Sequence, residues 1–106
     1  MAAIDLKVDP GIAAFVDAAA LVKFASDVQA IALTDVSKAV MAKDNAAAVR
    51  AAELRDSANA ALKSAARSME RARDSLHGRT DLPPGFEAAI DNAVAVVRQQ
   101  ILELPA

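Results

Sequence analysis

Apolar residues recur along this chain at spacings of three, four and seven, which is the pattern of helices that each bury one face. The clearest example lies near the C-terminus. Its single narrow stripe consists of Phe86, Ile90, Ala93, Val97, Ile101 and Leu104. The stripe predicts a short amphipathic helix over about 84–104, which begins at the Pro-Pro pair and needs one partner surface.

A second helix is predicted over about 45–77, where Asp44 or Asn45 can cap the start and Gly78 can end it. Its seam alternates large residues with alanine. The large positions are Leu62, Met69 and Leu76, and the alanines are Ala58, Ala65 and Ala72. Small residues in a heptad seam let a partner backbone approach closely, so we expect a tight antiparallel hairpin with the helix that precedes it.

That first helix is predicted over about 10–42, because Asp9 followed by Pro10 is a favourable start and no breaker occurs before about Asp44. Thr34 and Asp35 can both act as caps, so the sequence leaves open whether this helix is continuous or broken there. The preceding residues, 1–8, alternate weakly in hydrophobicity and are interpreted as a tail that packs on the bundle or on a neighbour.

The first helix is unusual because it is apolar on two faces. One stripe consists of Ile12, Phe15, Val16, Val22, Leu33, Val36 and Val40, and the other, roughly opposite, consists of Leu21, Phe24, Val28 and Ile31. A helix of this kind is buried on two sides. The third helix reaches only ~30 Å, whereas the first reaches ~50 Å. We therefore predict a homo-oligomer with Leu21, Phe24, Val28 and Ile31 in the interface. A broken first helix that folds back into a four-helix monomer is the alternative.

Together these patterns predict one all-α domain over residues 1–106: an antiparallel hairpin of two long helices plus a shorter third helix, assembled as an oligomer. Composition supports association. Alanine supplies 28 residues, so the core is thinner than the apolar fraction of 55% indicates. A chain of this length buries only ~60–65% of its unfolded surface, which makes it marginal without good packing or association.

The sequence offers little for catalysis. His77 is the only histidine and there is no cysteine, whereas metal sites need several ligands. Ser75 lies two positions from His77, and residues so spaced point apart on a helix. The chain has only three glycines, which excludes phosphate-cradling loops. We predict a protein that is not an enzyme and that holds neither cofactor nor metal.

A basic stripe is the one charge feature that stands out. Lys63, Arg67 and Arg71 recur every four residues on a predicted helix face. They favour an alternative function, a binding module for an anionic ligand or nucleic acid. The stripe is otherwise a solvated face, or one paired with acids of the same chain such as Glu70. A net charge of −2 and the lack of nearby aromatic residues argue against nucleic acid.

The first residues lack the basic segment of a secretory signal, and no uncharged stretch approaches the ~18 residues of a membrane helix. We expect a cytoplasmic protein without membrane association, with export by a leaderless route left open. No motif identifies a family. The sequence therefore predicts a small helical protein–protein interaction or assembly module, of the adaptor or regulator type, that self-associates through its first helix.

Overall fold

The computed structural model describes residues 9–104, which form three helices and no strand: α1 Pro10–Met41, α2 Asn45–Leu76 and α3 Phe86–Leu102. The two long helices pack together as an antiparallel hairpin, and the shorter α3 packs on it. This confirms the predicted all-helical fold of two long helices and a shorter third. The predicted tail over 1–8 lies outside the described residues.

α1 is a single continuous helix, so the break that the sequence left open near Thr34 is not present. The Thr34 hydroxyl donates to the carbonyl of Ala30 at 3.1 Å, within the helix, rather than capping a new one. At the start of α1, the Asp9 carboxylate accepts the backbone N–H of Ile12 at 3.0 Å, and Pro10 occupies the first helical position. The predicted start is therefore confirmed.

A three-residue turn joins the two long helices. Lys43 takes a left-handed conformation with φ of 58°, which lets the N–H of Asp44 reach the carbonyl of Ala39 at 2.9 Å and close the end of α1. The Asp44 carboxylate then accepts the N–H of Ala47 at 3.0 Å and caps α2. Because the turn is so short, α2 must return along α1.

Alanines at every seventh position form the seam of the hairpin in both helices. The buried alanines are Ala18, Ala25, Ala32 and Ala39 in α1 and Ala51, Ala58, Ala65 and Ala72 in α2. Leu62, Met69 and Leu76 are buried beside them, which confirms the predicted seam of α2. The predicted inner stripe of α1 is partly wrong, because Val16, Leu33 and Val40 are exposed and alanines take the seam instead.

α3 covers only part of the hairpin. Val94 and Val97 pack into the core beside Val22 and Met69, and the Gln100 amide donates to the Ser26 hydroxyl at 2.6 Å. The 17 residues of α3 span ~26 Å, whereas the 32 residues of α1 span ~48 Å. Beyond about residue 30 of α1, the described part of the chain therefore contains no third helix to cover the hairpin.

An ion pair holds the start of α1 against the loop that follows α2. The Arg79 guanidinium donates to both carboxylate oxygens of Asp9, at 3.0 and 2.8 Å, and it also pairs with Asp81. The backbone at Gly11 packs against this ion pair and against α2. A Cβ at this position would lie 3.3 Å from the Arg79 guanidinium and 2.9 Å from a methyl group of Leu76. The hydrogen bonds from Arg79, with that from the Ile12 N–H, lower the pKa of Asp9 from 3.8 to about 2.

This ion pair makes stability depend on pH in a predictable direction. Because the pKa of Asp9 is lower in the folded chain, its contribution is fully present above about pH 4 and is lost as the pH falls through about 2. Asp9→Asn keeps a good capping side chain but removes the charge. We expect its melting temperature, followed by circular dichroism, to fall less between pH 4 and pH 2 than that of the wild type.

Asp91→Asn is the matched control, because it removes an exposed carboxylate from α3. It should keep the pH dependence of the wild type. A wild-type slope in Asp9→Asn would contradict the role given to the Asp9–Arg79 pair.

Candidate interaction surface

An open apolar groove runs between α1 and α2 on the side away from α3. Its volume is about 460 Å³. It is lined by Leu21, Phe24, Ala25 and Val28 of α1 and by Leu54, Ser57, Ala58, Ala61, Ser64, Ala65 and Ser68 of α2. The residues of the hairpin that meet α3, such as Val22, Ser26 and Met69, line a different cleft on the other side. The hairpin thus has one covered face and one open face.

The structure brings three of the four predicted interface residues, Leu21, Phe24 and Val28, together in this open groove. Ile31 lies outside the groove, two turns after Phe24 on the same side of α1, and lines a neighbouring pocket with Ala30 and Thr34. Phe24 is 68% exposed and Leu21 and Ile31 are each 58% exposed, so most of their apolar surface meets water in the single chain. Val28 is half-buried.

The two walls of the groove differ in size. The α1 wall carries large side chains, whereas the α2 wall consists mainly of Ser57, Ala61, Ser64 and Ser68, with Leu54 at one end. Sequence reasoning missed the α2 wall. The pattern that indicates this wall is a set of small residues at spacings of four, three and four, which places them on one helix face. A wall of small side chains leaves room for another helix to approach.

Charged residues lie at both ends of the open groove. Asp35, Lys38 and Arg50 line a pocket at the end near the hairpin turn. At the other end, Asp17 lies two helical turns before Phe24 and is exposed, and the Arg71 guanidinium donates to the Ser68 hydroxyl at 3.3 Å. Within residues 9–104, Asp17, Asp35 and Lys38 form no ion pair.

The structure divides the predicted basic stripe. Lys63 and Arg67 line a separate cleft of about 360 Å³ between α2 and α3, together with Ala66, Glu70, Arg98, Ile101 and Leu102. Arg71 lies instead beside Ser68 of the open groove. Glu70 pairs with Arg98 of α3, not with the neighbouring arginines of α2 that the sequence suggested. An anion site at Lys63, Arg67 and Arg71 therefore stays a prediction, and only the first two share a cleft.

The segment around the single histidine forms a helix end, as the sequence indicated. His77 follows the last residue of α2, and Gly78 takes a left-handed conformation with φ of 81°. The Glu87 carboxylate accepts the N–H of Gly78 at 2.8 Å and lies 3.9 Å from the imidazole of His77. The Ser75 hydroxyl donates to the carbonyl of Ala72. The contacts of Glu87 join the start of α3 to the end of α2, whereas the Ser75 hydrogen bond lies within α2.

The part of the chain that the structure describes holds no group of three or more acidic, histidine or cysteine side chains arranged for a metal ion. None of its three helices combines the length and the hydropathy needed to cross a bilayer. Comparison with known proteins adds no assignment. No family model matches the chain, and neither a curated protein nor a solved structure does.

Proposed function

We propose that this protein is a small, non-catalytic helical interaction module, of the adaptor or regulator type, that self-associates through the open groove. The observation that carries the proposal is the groove itself. A hairpin that already has a closed core on one face displays a second, largely apolar surface on the other, with Phe24 more than half exposed. Contiguous exposed apolar patches on a protein surface commonly mark interaction sites.

The exposed apolar side chains on this side of α1 offset much of the free-energy cost of association. Burying a large apolar side chain contributes ~1.5–3 kcal/mol. Leu21, Phe24 and Ile31 are each a little over half exposed, so each gains roughly half of that or more on being covered. Two copies together gain roughly 6–10 kcal/mol, which is comparable to the 4–15 kcal/mol that association costs.

The size of the open face also fits a second copy of the chain. From Asp17 to Lys38 the face is ~32 Å long, and two adjacent helices are ~20 Å wide, which gives roughly 600 Å² for each copy. The total of about 1,200 Å² is at the lower limit for a specific interface. We therefore expect a dimer that dissociates on dilution. The outer surface of α3 stays free for a further protein partner.

Thiol protection tests this proposal, because the chain has no cysteine of its own. Ala61 lines the open groove, whereas Ala60 is its exposed neighbour on another side of α2. A single cysteine is placed at either position, and each variant receives a short pulse of excess iodoacetamide over a range of protein concentrations. In Ala61→Cys, labelling should fall several-fold as the concentration rises, whereas Ala60→Cys should label equally throughout.

Equal labelling of both variants at every concentration would mean that the groove stays open to solvent, which contradicts self-association through it. Protection of both cysteines together would place the interface elsewhere on α2. The two variants are closely matched, because each adds a single sulfur atom to an exposed alanine of the same helix.

A further inference from the structure

We infer that the second copy lies antiparallel across the open groove, related to the first by a two-fold axis that crosses α1 beside Val28. In this arrangement, Asp17 of each copy lies next to Lys38 of the other. The inference rests on the proposed function and specifies the partner and its orientation: a second copy of this chain, in one register.

The residues along the open face of α1 form a pattern that is complementary to the same pattern on an antiparallel copy of the helix. Asp17, Phe24, Ile31 and Lys38 are spaced by seven residues, so they form one line along the helix. The midpoint of Asp17 and Lys38 falls between residues 27 and 28, and so does the midpoint of Phe24 and Ile31. A two-fold axis at that point places acid against base at both ends and apolar against apolar between them.

The α2 wall has the same symmetry. The midpoint of Ser57 and Ser68 falls between residues 62 and 63, and so does the midpoint of Ala61 and Ser64. The axis would therefore place small residues against small residues, which allows a close approach of the two α2 helices. On α2 it also opposes Leu54 of one copy to Arg71 of the other, whose aliphatic stem can cover an apolar side chain.

The two midpoints lie at nearly the same height on the hairpin. The Gln29 amide donates to the Asn59 side chain at 2.9 Å, which aligns residues 29 and 59 across the seam. Because the helices run antiparallel, the α1 midpoint is then level with residues 60 and 61 of α2, two residues or ~3 Å along the helix from the α2 midpoint. Both Val28 and Ala61 line the same groove. A single axis can therefore pass beside both helices.

The alternative is a parallel arrangement, in which the two-fold axis runs along the hairpin. In that arrangement, α1 of one copy lies on α2 of the other and both turns are at the same end, which is less favourable electrostatically. Lys38 and Arg50 line the pocket near that turn, so each Lys38 would face the Arg50 of the other copy, a repulsion that Asp35 and Asp44 of the same pocket offset only in part. Like charges across an interface oppose association and suppress the wrong register. In the antiparallel arrangement, opposite charges meet instead.

Charge reversal tests the register. Asp17→Lys places like charges at both ends of the interface, and we expect the dissociation constant of the dimer to rise about tenfold. The double variant Asp17→Lys with Lys38→Asp restores opposite charges and should return to within about threefold of the wild-type value. Asp91→Lys, an exposed reversal on α3, is the control and should behave as the wild type apart from a general charge effect. Analytical ultracentrifugation measures all four proteins.

Cross-linking tests the axis independently. In the antiparallel dimer, two cysteines at position 28 are offset by ~2 Å along the helices, whereas two cysteines at position 21 are ~20 Å apart. A short bis-maleimide should therefore join Val28→Cys into a covalent dimer and leave Leu21→Cys uncrosslinked. In the alternative orientation, both positions lie at the same level as their counterparts, and the two variants should crosslink alike.

The outcomes separate this inference from the proposed function. A wild-type dimer in which both cysteines crosslink alike, or in which the second charge reversal restores nothing, overturns the antiparallel register and leaves self-association intact. A wild type that is monomeric throughout overturns both. Selective crosslinking at position 28 together with restoration by the double reversal supports both.

Discussion

Replacing Leu21 and Phe24 by serine should give a folded monomer at concentrations where the wild type is a dimer. These side chains are 58% and 68% exposed in the single chain, so they contribute little to its own core. In the dimer, four of them are covered, two from each copy. At about 1 kcal/mol for each, the dissociation constant should rise about a thousandfold. Sedimentation velocity measures the change in mass, and circular dichroism checks that the helices remain.

The matched control replaces Val96 and Leu102 by serine. These residues are 67% and 78% exposed on α3, so the control removes comparable apolar surface from outside the groove. It should dimerise like the wild type. If both double variants dimerise equally, the groove is not the interface. If the groove variant instead unfolds, the second apolar face of α1 belongs to the core of the chain.

Leu62→Ala should have the largest effect on stability. Leu62 is fully buried at the centre of the seam, in one cluster with Val22, Ala25 and Ala65. Deleting a buried leucine side chain costs ~2–5 kcal/mol, and domains have only ~5–15 kcal/mol of stability in total. We expect a value near the upper end of the first range, because the alanines around Leu62 are too short to refill the cavity. Urea unfolding followed by circular dichroism measures the free energy of unfolding.

Leu33→Ala is the control for this prediction. Leu33 is 43% exposed on α1 and does not line the open groove, so its loss should cost less than ~1 kcal/mol. All variants are compared at one protein concentration, because dimerisation adds to apparent stability. Equal costs at the two positions would contradict the seam as the main source of stability.

Local signals in the sequence were enough to predict the helices. Caps such as Asp9 and Asp44 and the left-handed Gly78 give most of their ends. α3 is shorter than predicted, since Gly85 adopts a left-handed conformation with φ of 81° and the helix begins only at Phe86. The prolines before it form a turn in which the Phe86 N–H donates to the carbonyl of Pro83.

The inner face of α1 was predicted less well from the sequence, because larger apolar residues usually occupy core positions, whereas alanine is common on every face of a helix. The large side chains Leu62 and Met69 of α2 fill the seam, so the α1 positions that face them are the alanines Ala18 and Ala25. Larger residues such as Leu33 and Val40 are then turned outward. The recurrence of alanine at every seventh position of α1 is the sequence pattern that indicates its buried face.

The candidate site was predicted on one side only. The large residues of α1 are conspicuous in the sequence, whereas serines and alanines on α2 are also common on ordinary helix surfaces. The basic stripe was divided because residues four apart drift by ~40° around a helix, so Arg71 lies ~80° from Lys63. The pairing of Glu70 with Arg98 depends on where α3 docks, which no local pattern in the sequence specifies.

The most direct test of self-association is the molar mass of the unmodified chain, measured by size-exclusion chromatography with light scattering over a dilution series. A dimer that dissociates on dilution has a mass of about 22 kDa at high concentration, twice the 11.0 kDa of one chain, and we expect it to fall towards 11.0 kDa on dilution. A constant mass of 11.0 kDa at every concentration would contradict self-association.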